Sequence, residues 1–218
     1  MTNKNTQKQN LSSFLFIGLI FVAAFLLSRQ SQASYLSLNE TAEVLPEGYF
    51  KLGIAPQLKL TDGAGLNMGV YFDTYVADDI TGRVTIGGGK TDFWTAASAK
   101  WVPFPDVDKQ PALGLRGAVM YARDENTDYY NLQISPLVSK LADTRYGKMI
   151  PYVGLPVTFI NTKDHSETAT QFAVGAEWFS RQDMHVGAEF DLNLSHAFSS
   201  ISVFLSFPFD QAVGYKRN

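Results

Sequence analysis

The sequence predicts an all-β protein: an antiparallel up-and-down transmembrane β-barrel of about ten strands, preceded by a cleavable signal peptide. Three observations carry that prediction. The first is the stretch Met184 to Leu194, in which every even position is apolar and every odd one is polar or glycine. Only a strand keeps Val186, Phe190 and Leu194 on one face and His185, Glu189 and Asp191 on the other. The second is that the same period of two recurs along the chain in segments of about 10 to 13 residues, separated by short turns and with no helix-period segment between them. Strands of that length exceed the ~5 to 6 residues usual in soluble sheets and match the ~9 to 11 that cross a bilayer when tilted. The third is the N-terminus, which has the order of an export signal.

In that leader, Lys4 and Lys8 precede an apolar run from Leu11 to Leu27, and Ser31-Gln32-Ala33 places small residues before a cut after Ala33. The division is therefore 1–33 signal peptide, 34–46 lead-in segment, 47–210 barrel and 211–218 tail. An uncleaved anchor is the alternative, because the run approaches the lower limit for a spanning helix. Removing Lys4, Lys8 and Arg29 from 18 basic residues leaves 15 against 21 acidic ones, a net charge of −6 that argues against a nucleic-acid partner. There is no cysteine, which excludes disulfides and thiolate metal sites. After Leu27 no second apolar run is long enough for a membrane helix, so a membrane-embedded mature chain must be a closed barrel.

The alternation starts at Phe50, with Leu52, Ile54 and Leu58 against Lys51, Gly53, Gln57 and Lys59, and a turn at Thr61–Gly65 follows. Leu66 to Val76 and Ile80 to Ile86 make the next pair, with Gly87-Gly88-Gly89-Lys90-Thr91 as a turn before Phe93 to Trp101. Pro103, Pro105 and Pro111 cannot continue a ladder and are expected to separate two halves. Leu113 to Tyr121, the turn Arg123–Thr127, and Tyr130 to Val138 follow. Met149 to Phe159 contains Pro151 and Pro156, which demand a bulge or irregular stretch. After Asn161 to Glu167 come Phe172 to Trp178, then the opening stretch, then Ile201 to Phe209. An even count lets the last strand pair antiparallel with the first, which removes exposed edges.

Outward aromatics should mark the two water interfaces. Phe50, Trp101, Trp178, Phe207 and Phe209 are expected at one end of the strands, and Phe93, Tyr121, Tyr130, Phe159 and Phe172 at the other. With the leader, the spanning period-two strands and a last strand ending Phe-Pro-Phe, residues 47–210 resemble a small bacterial outer-membrane β-barrel, porin-like in architecture and without a motif of one subfamily. The resemblance implies an outer-membrane location in a Gram-negative cell, outer-membrane lipid as surroundings, and the barrel assembly machinery as a partner in biogenesis. That machinery reads a terminal aromatic in such proteins; here Phe209 is followed by Asp210 and then by Gln211 to Asn218. A soluble periplasmic barrel or sandwich acting as a binding module is the first alternative, and an outer-membrane lipid-modifying enzyme or hydrolase the second.

The polar parity carries Lys51, Lys59, Arg83, Lys100 and Arg116 against Asp73, Glu177, Glu189 and Asp191, with His185, and is expected to form an ion network in the lumen. Turn centres place Asp73 opposite Arg83 and Glu177 opposite His185, and they leave Glu189 and Asp191 to reach across to Lys100 and Arg116. Bulky Tyr71, Tyr75, Trp94, Tyr129 and Tyr152 share that parity, so a narrow or occluded lumen with a structural or small-solute channel role is expected. No enzyme, cofactor or metal is expected. Ser195, His196 and Asp191 could compose a triad only if a turn bent the adjacent Ser195 and His196 to one side. The three histidines lack ligand spacing for zinc, and the glycine run lacks the spacing of a phosphate loop.

Overall fold

A computed structural model describes residues 36–61, 64–145, 147–179 and 183–210. The segment expected as a signal peptide, 1–33, and the 211–218 tail lie outside the described residues. The strands are β1 (Tyr49–Lys59), β2 (Gly65–Ala77), β3 (Ile80–Gly89), β4 (Phe93–Phe104), β5 (Ala112–Asp124), β6 (Thr127–Ser139), β7 (Ala142–Thr144), β8 (Gly147–Gly154), β9 (Val157–Asn161), β10 (Ser166–Trp178), β11 (His185–Ser195) and β12 (Ser200–Asp210). Each pairs antiparallel with its neighbours, and β12 returns to β1 with Tyr49 facing Asp210 and Lys59 facing Ser200. The sheet is closed.

The ring has ten staves, because β8 and β9 are two halves of one stave that lies between β6 and β10. They part at Leu155-Pro156. Proline has no N–H to give the ladder, but the Pro156 carbonyl still accepts from the Gln171 N–H at 3.0 Å, so the stave bends without opening the wall. The short β7 only folds back along β8 and is not a stave.

Three connections differ from the sequence reading. Strand β3 runs through all three glycines to Gly89, and the bend is confined to 90–92. The reason is Trp94, whose ring lies over Gly87 where a Cβ would be 2.4 Å from it. Strand β4 continues through Pro103 to Phe104, with the proline held in a register shift between Trp101 and Phe104 where no ladder N–H is required. Residues 36–46, expected as a lead-in, lie inside the ring; Leu36 to Ala42 are buried.

The surface is inverted relative to a water-soluble protein. Leu66, Val84 and Val119 are 59%, 57% and 57% exposed, whereas Arg116, Glu189 and Asp191 are 1%, 2% and 1% exposed. A soluble sandwich would bury that apolar face; here it forms the outer wall, which only lipid can cover without cost. The rim at which β1 begins is called proximal below, and the opposite rim distal. Phe50 stacks on Phe72 and Phe209 at 5.6 and 5.5 Å near the proximal rim, where the Trp101 indole N–H also donates to Asp79 at 2.7 Å. Trp178 and Phe207 lie toward the same rim, opposite Val186 and Leu52. Near the distal rim Tyr121 packs between Phe93 and Tyr130, at 6.5 and 5.4 Å, and donates to Asp128 at 2.8 Å, and Phe159 pairs with Leu132. Phe172 is the exception: because β10 begins at Ser166, Phe172 falls at mid-strand and not at a rim.

Candidate functional site: the occupied lumen

Inward side chains come from one parity of every stave, and several aromatic ones lie flat over a glycine of the next strand. Tyr71 covers Gly53, Tyr152 covers Gly175 and Phe204 covers Gly187; a Cβ on those glycines would be 2.1, 2.4 and 2.0 Å from the ring. Only glycine admits such an approach. These rings fill part of the interior together with Ala55. Tyr75 does not join them; it stands half-buried at the proximal rim and donates to Asp78 at 2.8 Å.

The remaining space is taken by residues 36–46, which pass along the lumen from the distal to the proximal end. At the distal end Leu36 packs among Trp94, Ala122, Tyr129, Ile160 and Phe198. Further down, Leu38 and Ala42 pack with Val102, Ala112 and Leu137, and half-buried Val44 joins them. Between the apolar anchors the main chain is held by side chains of the wall. The Leu38 and Asn39 N–H groups donate to the two Glu189 oxygens at 2.8 and 2.7 Å. Arg83 donates to the Leu38 and Asn39 carbonyls at 3.0 and 3.1 Å, and Lys100 to the Thr41 carbonyl at 2.6 Å. In an extended chain successive N–H groups point to opposite sides; Asn39, at φ 46°, turns the chain so that both reach one carboxylate. Asparagine tolerates that left-handed conformation better than most residues.

The charges are segregated. Arg83, Lys100 and Arg116 lie on β3, β4 and β5, while Glu177, Glu189 and Asp191 lie on β10 and β11, across the ring. Glu40 of the threaded segment answers the basic wall, with one oxygen 3.2 Å from Lys100 Nζ and the other 2.7 Å from Arg116 Nε. Burying three such groups without each other would cost several kcal/mol per ion, so they must stay together. Asp73 faces Arg83 directly and accepts two hydrogen bonds from it, at 2.6 and 2.8 Å. Lys51 and His185 both meet Glu177 Oε1, at 3.1 and 3.0 Å. Register puts Gly187, not His185, opposite Glu177, so that last contact is diagonal.

Glu189 and Asp191 do not reach Lys100 and Arg116. Each end of that expected pairing is occupied by residues 36–46: Glu189 also accepts from Tyr152 at 2.6 Å, and Asp191 Oδ2 accepts from Ser37 and Ser200 at 2.8 and 2.7 Å. Glu40 and Asn39, the residues that complete the network, escaped sequence reasoning. One signal was available: counting Lys59, the inward parity holds five cations and four acids, and Glu40 lies just upstream of the first strand. Among the described residues, one space between segment and wall, lined by Leu36, Asn39, Gln57, Tyr71 and Arg83, is a cavity of about 20 Å³, enough for one water.

At the distal rim Ser195 Oγ and His196 Nδ1 share a hydrogen bond of 2.9 Å, and His196 Nε2 is 3.5 Å from Glu167. The positive φ of His196, 50°, supplies the bend that strand geometry forbids. Asp191 is not part of this group, since it points into the lumen. Among the described residues no group of His, Asp and Glu could hold a metal ion.

Fold and lumen define the class: a transmembrane β-barrel of the outer-membrane type, closed around its own residues 36–46. No family model matches the chain, and no curated protein matches it. Solved structures do resemble it at the level of fold. An outer-membrane channel of the COG4313 group from Pseudomonas putida F1 aligns at TM-score 0.46 and 11% identity, covering 80% of this chain and 100% of that one. The translocator domain of the autotransporter NalP from Neisseria meningitidis aligns at TM-score 0.39 and 12% identity, covering 92% and 97%. A de novo designed transmembrane β-barrel aligns at TM-score 0.39 and 10% identity, covering 76% and 99%.

Proposed function

We propose that this chain is an outer-membrane barrel whose lumen is sealed by residues 36–46, so that its resting state is a non-conducting, structural element of the membrane. The clamp on Leu38 to Thr41 carries the reading: Glu189 holds two N–H groups while Arg83 and Lys100 hold three carbonyls of the same stretch. A loosely placed segment would leave those buried charges unpaired. The apolar outer wall supports contact with lipid all round. A non-catalytic role is supported by the engagement of the buried acids with the segment.

A second reading is a small-solute channel that opens when the segment withdraws. It is favoured by the inward Gln57, Gln133, Ser135, Ser200, Ser202 and Ser206, which would hydrate a vacated lumen. Planar-bilayer recording of the purified protein tests the sealed state, with no steps expected above baseline. Large ohmic steps from the intact chain would end the sealed reading. Gel mobility that shifts on boiling, and recovery with detergent-extracted outer membrane, would support the location; native protein in the aqueous periplasmic fraction would refute it.

A further inference from the structure

We propose that the lumen is a binding site for an extended acidic peptide, that residues 36–46 are its tethered occupant, and that a free peptide of the same chemistry enters in their place. The proposal rests on the sealed-lumen reading and goes further, because it assigns the seal to a recognition site with a ligand class.

The contacts have the form of recognition rather than of general packing. Four N–H groups of the segment, on Leu38, Asn39, Ala42 and Leu45, donate to Glu189, Ser139 and Thr81. Four of its carbonyls, on Leu36, Leu38, Asn39 and Thr41, accept from Gln133, Arg83 and Lys100. All these partners are wall side chains. An extended peptide is ordinarily bound by the edge of a sheet, but a closed barrel has no edge, and side chains take over that work. The two walls sort the peptide group by polarity. At Leu38 and Asn39 the N–H groups face the acid on β11 and the carbonyls face the arginine on β3. Such contacts read the main chain and accept many sequences.

Selectivity then comes from side chains. Lys100 and Arg116 require an acid where Glu40 stands. Ser202 donates to Asn39 Oδ1 at 2.6 Å, and Gln57 donates to Ser37 Oγ at 2.6 Å. The apolar clusters receive Leu36 and Leu38. The occupant is joined to the wall through Glu47 and Gly48; Glu47 is exposed, and a Cβ on Gly48 would meet nothing within 4 Å. That joint is open to a protease.

The test uses the full chain with a site-specific protease sequence inserted between Glu47 and Gly48, folded in detergent micelles and cut only afterwards. A fluorescein-labelled peptide of the Leu36 to Leu45 sequence is added and followed by anisotropy, alongside a peptide carrying Glu40→Gln and one of scrambled order. The cut barrel is expected to keep its heat-shifted gel mobility and to take up the labelled peptide. The Glu40→Gln peptide is expected to bind about tenfold or more weakly, as loss of the charge that meets Lys100 and Arg116 implies. In bilayers, the cut protein is expected to conduct after dilution and to be blocked again by added peptide. Equal binding of the scrambled peptide, or no uptake by a cut barrel that has lost its segment, would overturn the proposal. So would a segment that never exchanges against excess peptide. Conduction by the uncut protein would instead remove the sealed-lumen reading beneath it.

Discussion

Glu40 Oε1 lies 2.7 Å from Arg116 Nε, and this contact joins the threaded segment to the middle of the wall, with both side chains almost fully buried. Replacing Glu40 by Gln leaves Arg116 and Lys100 without their acid. Removal of one partner from a buried pair costs about 3 to 5 kcal/mol. Urea unfolding, followed by loss of the heat-shifted gel band, is expected to move to lower denaturant, and bilayer recordings to gain openings absent from the parent. An unchanged midpoint together with unchanged conductance would show that Glu40 does not hold the seal.

Glu189 acts on the main chain of the same segment. Glu189→Gln turns one acceptor into a donor that faces the Leu38 or Asn39 N–H, and with Asp191→Asn it also weakens the holds of Ser37 and Ser200. The double variant is expected to melt earlier or to conduct. Lys163→Gln, on the exposed distal connection, is expected to do neither, and serves as the control in the same two measurements.

Gly175 is the sharper test of interior packing. A Cβ there would be 2.4 Å from the Tyr152 ring and 2.7 Å from the Ala188 carbonyl, and Tyr152 cannot move away without losing Glu189. Gly175→Ala is expected to cost about 1 to 3 kcal/mol, the range for overpacking a filled interior. At Gly117, where a Cβ meets nothing within 4 Å, the same substitution is expected to change stability by less than about 0.5 kcal/mol. Equal effects at the two positions, read from denaturant midpoints, would contradict the close aromatic cover.

One pH response belongs to the proximal rim. Lys140 pairs with Asp106, and that ammonium, with the Leu141 N–H at 2.6 Å, holds the Asp106 carboxyl below the usual carboxylate range. A lowered folded value means that the contact contributes stability above the ordinary Asp value of about 3.9 and loses it as pH falls through the lower folded one. Limited proteolysis of the 105–111 connection is therefore expected to stay slow at neutral pH and to quicken only in strong acid. Asp106→Asn is expected to make it fast at neutral pH as well. Cleavage of the parent that quickens already near pH 5 would argue against this latch.

Much of the wall was legible because a barrel strand imposes one period on many residues: the outward Leu52, Val84, Val119 and Leu132 and the inward Arg83, Lys100 and Glu189 all follow it. The broken stave was legible at Pro156, since a missing N–H is written in the sequence, whereas Pro151, read the same way, lies within an unbroken β8 and pairs in register with Ala176. Residues 36–46 were not. Their hydrogen bonds go to side chains on β3, β4, β6 and β11 and not to a ladder, so no period marks them. The glycine run 87–89 misled for a related reason, because those glycines clear space for Trp94 and the backbone beside it, a contact between strands that no local pattern records.

The pairing of β1 with β12 makes the wall a hoop without a gap, and a segment threaded through a hoop cannot step out sideways. Departure of residues 36–46 must be lengthwise, with Leu36, Leu38 and Glu40 each passing seats shaped for their neighbours. The barrel and its thread are thus related as a ring is to an axle, and exchange of the thread would be governed by sliding and not only by affinity.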